Sequence, residues 1–298
     1  MNIFITSSRG VYQYNVKDFS LSKIIGNWHK GFFRFPSKGF FGTCLSTTYK
    51  ELVFVSRENF TKTTYKKSSD IIVHFYNYNN NRIIKKINIK NLYDVHQITS
   101  YKNLIFITET GKNRIQVLNT KTGYIQFFIN IGNIRDDINH INAINIDNNF
   151  LYIGLNNGHE KNIFKNAQLI KIPTPQILKM KTINALNVGV LENLHGVYHT
   201  HDFEKFDNDY LISSSNLGKI YSYNQKKFIT NINPWTRGIT VSKSHIYIGK
   251  SGMGKRKSRH SRYYNGEIFV LDKSNFKIIK KIVIPKIGQL NDIIYTED

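Results

Sequence analysis

Cysteine is nearly absent. Cys44 is the only one, so no disulfide can form within the chain, and a reducing compartment is the natural setting. Long apolar runs are missing as well. No stretch approaches the roughly 18 apolar residues of a membrane span, and the opening residues, MNIFITSSR, lack the apolar core of a secretory leader. A soluble, cytoplasmic protein with no membrane contact is expected. No linker rich in proline, glycine or serine interrupts the chain, so residues 1–298 are read as one domain, large enough to bury a core without staples. Acidic residues are few, 20 against 42 lysines and arginines, leaving a formal charge of +22. That excess points to an acidic partner. The alternative is compositional: Asn, Ile, Lys and Tyr are all abundant, and lysine then spreads over every surface. Local clustering is the better witness.

What the sequence does have is a repeat. A short β-rich segment recurs at residues 2–8 (NIFITSS), 51–57 (ELVFVSR), 103–110 (NLIFITET), 150–157 (FLYIGLNN), 210–217 (YLISSSNL) and 245–251 (HIYIGKS). A second strand pattern follows each, beginning near Val11, Ile71, Arg114, Gln168, Lys219 and Glu267. A third follows at 19–25, 82–89, 124–131, 226–232 and 276–284; in the fourth unit residues 176–183 are the only stretch to take that role. One strand per unit precedes the first segment, starting near Thr43, His96, Ile141, His201, Arg237 and, at the far end, Asn291. β-Branched and aromatic residues in rough alternation mark all of these as strands. Four antiparallel strands, six times, at about 50 residues each, is the pattern of a six-bladed β-propeller. The last strand has no followers and the first unit lacks its first strand. Residues 290–296 are therefore expected to complete the N-terminal blade, which removes both free edges.

In such a fold the first strand of each blade lines the axis. The lead-in to that strand and the connection between second and third strands share one face. Aligning the lead-ins places Cys44, His96, Asn142 or His140, His201, Arg237 and Asn291 in one ring. Residues two apart on a strand face the same way, so His140 joins Asn142 and His199 joins His201. Histidines from separate strands could hold a divalent transition metal through His96, His140, His199 and His201, with Asp94, Asp137 or Asp202 as oxygen ligand or outer shell. Alternatively His96, His140 or His201 transfers protons while Arg237 anchors an anionic group, and Asn142, Gln289 and Asn291 hydrogen-bond the substrate. Purely structural histidines, bonded to backbone at the strand starts, are the bland reading.

Three connections on the same face are long: 56–69, 156–166 and 251–265. They carry Arg57, Lys62, Lys66, Lys67, Lys161, Lys165 and the run from Lys255 to Arg262, so Arg57 and Arg262 join the expected substrate-binding set. Basic loops over a central hole favour a small anionic ligand over nucleic acid.

The phrases Val95-His96-Gln97-Ile98, Asn139-His140-Ile141-Asn142-Ala143-Ile144, Thr236-Arg237-Gly238-Ile239 and Gly288-Gln289-Leu290-Asn291-Asp292-Ile293 resemble those of a family of microbial six-bladed propellers, loosely related to NHL-repeat and gluconolactonase-like propellers. The resemblance spans nearly the whole chain. It implies the fold and says little of function, since propellers host enzymes, binders and scaffolds alike. The acidic metal ligands expected of gluconolactonase-like lactonases are not evident at the matching lead-ins. The expectation is an enzyme of lyase or hydrolase type, metal-dependent in one form, acting on a small anionic substrate. The alternative is a binding module for an anionic ligand or a protein partner, with an RNA scaffold behind both.

Overall fold

The computed structural model describes residues 1–26, 38–46, 51–58, 68–132, 139–156, 165–179, 182–252, 261 and 263–297. In chain order the strands are β1 (Asn2–Ser7), β2 (Gly10–Asn15) and β3 (Leu21–Gly26), then β4 (Lys38–Leu45), β5 (Leu52–Glu58), β6 (Ser69–Asn77) and β7 (Arg82–Leu92). Next come β8 (Val95–Tyr101), β9 (Leu104–Glu109), β10 (Arg114–Asn119), β11 (Ile125–Asn130), β12 (Ile141–Ile146), β13 (Phe150–Leu155) and β14 (Ala167–Pro173). A short helix α1 (Thr174–Lys179), β15 (Thr182–Asn184) and α2 (Ala185–Val188) precede β16 (Val190–Leu194). The remainder is β17 (Phe203–Phe206), β18 (Asp209–Ser214), β19 (Lys219–Ser222), β20 (Lys227–Asn231), β21 (Thr236–Val241), β22 (His245–Lys250), β23 (Gly266–Asp272), β24 (Ile278–Ile284) and β25 (Leu290–Thr296).

These strands form six antiparallel blades: β25-β1-β2-β3, β4-β5-β6-β7, β8-β9-β10-β11, β12-β13-β14-β16, β17-β18-β19-β20 and β21-β22-β23-β24. The chain is a six-bladed β-propeller, and its last strand completes the blade begun by its first. β25 runs antiparallel to β1, with Ile293 opposite Ile5 and Tyr295 opposite Ile3. No described helix is long and apolar enough to cross a membrane.

The blades turn by a repeated device. At the end of the third strand of four blades a side-chain carboxamide or carboxylate accepts from the backbone two residues on: Asn15 from Lys17, Asn77 from Asn79, Asn119 from Lys121 and Asp272 from Ser274, all at 2.8–3.0 Å. An Asn or Asp side chain that replaces a backbone acceptor closes a tight turn locally.

The chain packs as two compact units. One comprises Met1–Phe41, Ser56–Lys62 and Glu204–Asp298; the other comprises Gly42–Val55 and Thr63–Phe203. Within the second, buried Val53, Val55, Ile71 and Val73 pack with Val95, Ile98 and Ile105, and a further layer joins Phe106, Ile115 and Val117 to Ile141, Ile153 and Ile170. Within the first, Ile3 and Ile5 pack with Ile268, Leu290 and Ile293. Each such side chain contributes about 1.5–3 kcal/mol when withdrawn from water.

The fourth blade differs from the sequence expectation. Its outer strand is β16, not residues 176–183. Pro175 supplies no N–H for a ladder but suits the first turn of a helix, and α1 begins one residue before it. β15 then pairs in parallel with β11 of the preceding blade. The excursion leaves Leu186, Val190 and Leu191 largely exposed.

Across the sixth blade, Glu267 accepts from Lys250 at 3.0 Å and from Lys281 at 3.2 Å. Burial pushes its carboxyl up, and the hydrogen bonds and charges of the two lysines more than offset that, holding it below its ordinary 4.5. A lowered carboxyl adds stability above its ordinary value and loses it as pH falls through the folded value. Denaturant melts of Glu267→Gln beside wild type should differ by a few tenths to about 1 kcal/mol at neutral pH, in favour of wild type. The difference should shrink as pH falls below the ordinary carboxyl range and through the lowered folded value.

Candidate functional site

In the second unit, three strand starts share one backbone device. Asp94, His140 and His199 have φ of 52°, 44° and 51°. Asp and His are among the few side chains that enter the left-handed region readily. Two residues after each comes His96, Asn142 or His201. His140 precedes β12, and both His199 and His201 precede β17, so strand alternation does not put His140 with Asn142, nor His199 with His201. The left-handed residue turns the chain before the strand begins.

β-Bulges follow. The β8–β9 register slips between Val95, opposite Glu109, and Ile98, opposite Ile107, so His96 and Gln97 together oppose Thr108. The Thr108 hydroxyl takes up the irregular backbone. It accepts from the N–H of His96 at 3.3 Å and of Gln97 at 2.9 Å, and lies 3.1 Å from the Gln97 carbonyl. On β12 the slip falls between Ile141 and Ala143, leaving Asn142 as the extra residue. Bulges re-aim single side chains and recur beside active sites.

His96 Nε2 lies 3.2 Å from Asp94 Oδ2, with the two side chains 18% and 11% exposed. The His140 ring meets His96 edge to face, centroids 5.6 Å apart. Asn142 is 1% exposed, and neither Oδ1 nor Nδ2 has a hydrogen-bond partner among the described residues. Gln97 Nε2 donates to the His201 carbonyl at 3.2 Å, and Asn156 Nδ2 to that of Thr200 at 3.3 Å. His201 and Asp202 are buried, and Asp202 accepts from Phe203 N–H at 2.8 Å.

Two buried groups brace this constellation. Thr110 donates through its hydroxyl to the Ile141 carbonyl at 2.6 Å and through its N–H to the Asp94 carbonyl at 3.1 Å, tying two strand starts together. Glu109, fully buried, accepts from Tyr93 N–H at 3.1 Å and from Gln116 Nε2 at 2.7 Å, and pairs with Arg114. It thereby anchors the residue just ahead of Asp94. A carboxylate-held imidazole beside a buried carboxamide can exchange a proton and hydrogen-bond a polar ligand. Among the described residues, no group of three or more His, Cys, Asp or Glu is arranged to hold a metal ion. Asp137 lies outside the described residues.

The first unit repeats the device with different chemistry. Trp235 has φ 73°, and the bulge two residues on is Arg237–Gly238. Gly238, at φ 78°, is required twice over: a Cβ there would stand 2.6 Å from Ile293 N. Asn291 is the extra residue where β25 pairs with β1. Gln289 Nε2 donates to Asn291 Oδ1 at 2.8 Å, and Asn291 Nδ2 donates to the Phe40 carbonyl at 2.6 Å. Arg237 is 7% exposed, and the buried Arg57 guanidinium lies 5.3 Å from the Phe41 ring centre. Arg262 and most of the three basic connections lie outside the described residues. Sequence reasoning missed Thr108, Thr110, Ser215 and Thr236. Small hydroxyl residues in strands carry no signal of their own, although Thr236 stands directly beside Arg237.

Comparison with solved structures agrees on the fold. The nidogen/laminin complex contains a chain superposing with TM-score 0.64 at 11% identity, over 98% of this chain and 97% of that one. A protein of unknown function from Bacteroides caccae superposes with TM-score 0.62 at 12% identity, over 98% and 97%. No protein-family model matches the sequence, and no curated protein does.

Proposed function

We propose that this propeller is an enzyme of lyase or hydrolase type, acting on a small anionic substrate, with His96 as its proton-transfer group. One observation carries the reading: the Asn142 carboxamide, 1% exposed with both polar atoms unpartnered among the described residues, on the strand start next to a carboxylate-held histidine. A buried unsatisfied amide costs the fold about 1–3 kcal/mol, and a bound substrate would remove that cost. Asp94 fixes the ring through Nε2. His140 orients the ring edge-on, and His201 belongs to the neighbouring strand start. The net charge of +22 favours an anionic substrate. A cytoplasmic location and kinship with NHL-repeat and gluconolactonase-like propellers fit this reading.

Asn142→Leu tests it without knowledge of the substrate. The melting temperature should equal or exceed that of wild type, because an unpaired polar group is replaced by an apolar one of similar size. A variant destabilised by about 1–3 kcal/mol would mean the amide has a structural partner, and the reading would fail. Elemental analysis of untagged protein beside His96→Ala tests whether a divalent transition metal takes part, although the described histidines form no three-ligand group.

A second reading is a binding module for the same class of ligand. The deeper burial of Asn142 than of His96 favours it, since recognition needs the amide and no proton transfer. It requires saturable binding with no turnover.

A further inference from the structure

The first unit carries unpartnered polar atoms of its own. Among the described residues, Ser215 Oγ, Thr236 Oγ1 and Gln289 Oε1 have no hydrogen-bond partner, in residues 0%, 0% and 4% exposed. They are not scattered. Trp235 N–H donates to the Ser215 carbonyl at 2.7 Å, Ser251 N–H donates to the Trp235 carbonyl at 3.0 Å, and Ser251 Oγ donates to the Leu290 carbonyl at 2.7 Å. Three hydrogen bonds thus string Ser215, the Trp235–Arg237 start and the Gln289–Asn291 start into one locality. Buried polar atoms are satisfied in the great majority of folds. Three buried orphans on linked strand starts, one of which also carries the buried Arg237, mark a place built for something else. Trp235 adds a second sign: a bulky aromatic at φ 73° is strained, and such strain collects at ligand sites.

We infer that the first unit holds a binding site for a small carboxylate that carries a hydroxyl group, with Arg237 taking the carboxylate and Gln289 the hydroxyl. The donor set defines this chemistry. Arginine binds a carboxylate through two parallel N–H bonds. Gln289 Nε2 is committed to Asn291, so Oε1 can only accept. An acceptor there repels the many anionic oxygens of a phosphate and asks the ligand for a donor. An amine in its usual charged form would stand beside Arg237 as a like charge, so the donor is a hydroxyl. The Ser215 and Thr236 hydroxyls donate or accept as the ligand requires.

This inference is independent of the acid–base reading, because its test needs no turnover. Titration calorimetry of the full chain with each enantiomer of malate, and with succinate, compares ligands of equal charge that differ by one hydroxyl. At least one malate should bind about tenfold or more tightly than succinate. The preference should vanish in Gln289→Met, and Arg237→Gln should weaken malate and succinate alike. Ser215→Ala and Thr236→Val should melt at or above the wild-type temperature while losing malate affinity, which covers the case of a misfolded Arg237 variant. Equal binding of malate and succinate, a preference that survives Gln289→Met, or marked destabilisation by both hydroxyl deletions would each overturn it.

Discussion

Deleting residues 287–298 should leave no cooperatively folded protein. The deletion removes β25 and with it the buried Ile287, Leu290, Ile293 and Tyr295. At about 1.5–3 kcal/mol each, their loss is comparable with the whole 5–15 kcal/mol by which a domain is stable. The loss extends beyond the first blade. Tyr295 stacks on Tyr247 of β22, centroids 5.5 Å apart, and its N–H donates to Thr240 Oγ1 at 2.9 Å. β1 would also become a free edge, with the row of unpaired backbone groups that drives aggregation. A synthetic peptide of residues 287–298 added in trans should restore a melting transition by strand addition. A truncated protein that melts within a few degrees of wild type, by calorimetry, would show that β25 is dispensable.

The second large effect is expected at His96. On whichever member of a panel of small anionic esters and lactones the protein turns over, His96→Gln should lower kcat by about 10²–10⁴ with little change in KM. Glutamine keeps hydrogen-bonding capacity and size but cannot accept and return a proton. Asp94→Asn should cost less, since the imidazole remains while the carboxylate that orients it is gone. The Thr108 hydroxyl and the bulge hold the backbone at His96 whatever its side chain, so both variants should fold. Circular dichroism melts alongside the kinetics verify this. Turnover undiminished in His96→Gln would remove the histidine from the chemistry and favour the binding module.

The repeat was legible because each second strand is a dense apolar run, such as residues 52–55 and 104–107, and because strand phase alone demands that residues 290–296 join the first blade. The fourth blade was misread where proline changed the local rules. A ladder needs the N–H that Pro175 lacks, and the chain made helix and a parallel pairing before returning as β16. At the candidate site, the residue types were visible and their geometry was not. Asp94, His140 and His199 each turn through the left-handed region, which a sequence allows but does not announce, so strand alternation does not describe the starts that carry His140 and His199. Bulges are equally silent, because they depend on a partner strand far along the chain. The pairing of Asp94 with His96 and the unpartnered Asn142 amide arise only once those turns and slips are made.

Chemical rescue of His96→Ala by free imidazole tests proton transfer at this site most directly. The alanine variant leaves room where the ring stood, with Asp94 still in place. Turnover restored saturably by imidazole, and not by a non-basic molecule of similar shape, is the expected result. Turnover that stays lost at every imidazole concentration, in a variant that melts like wild type, would contradict a proton-transfer role for His96.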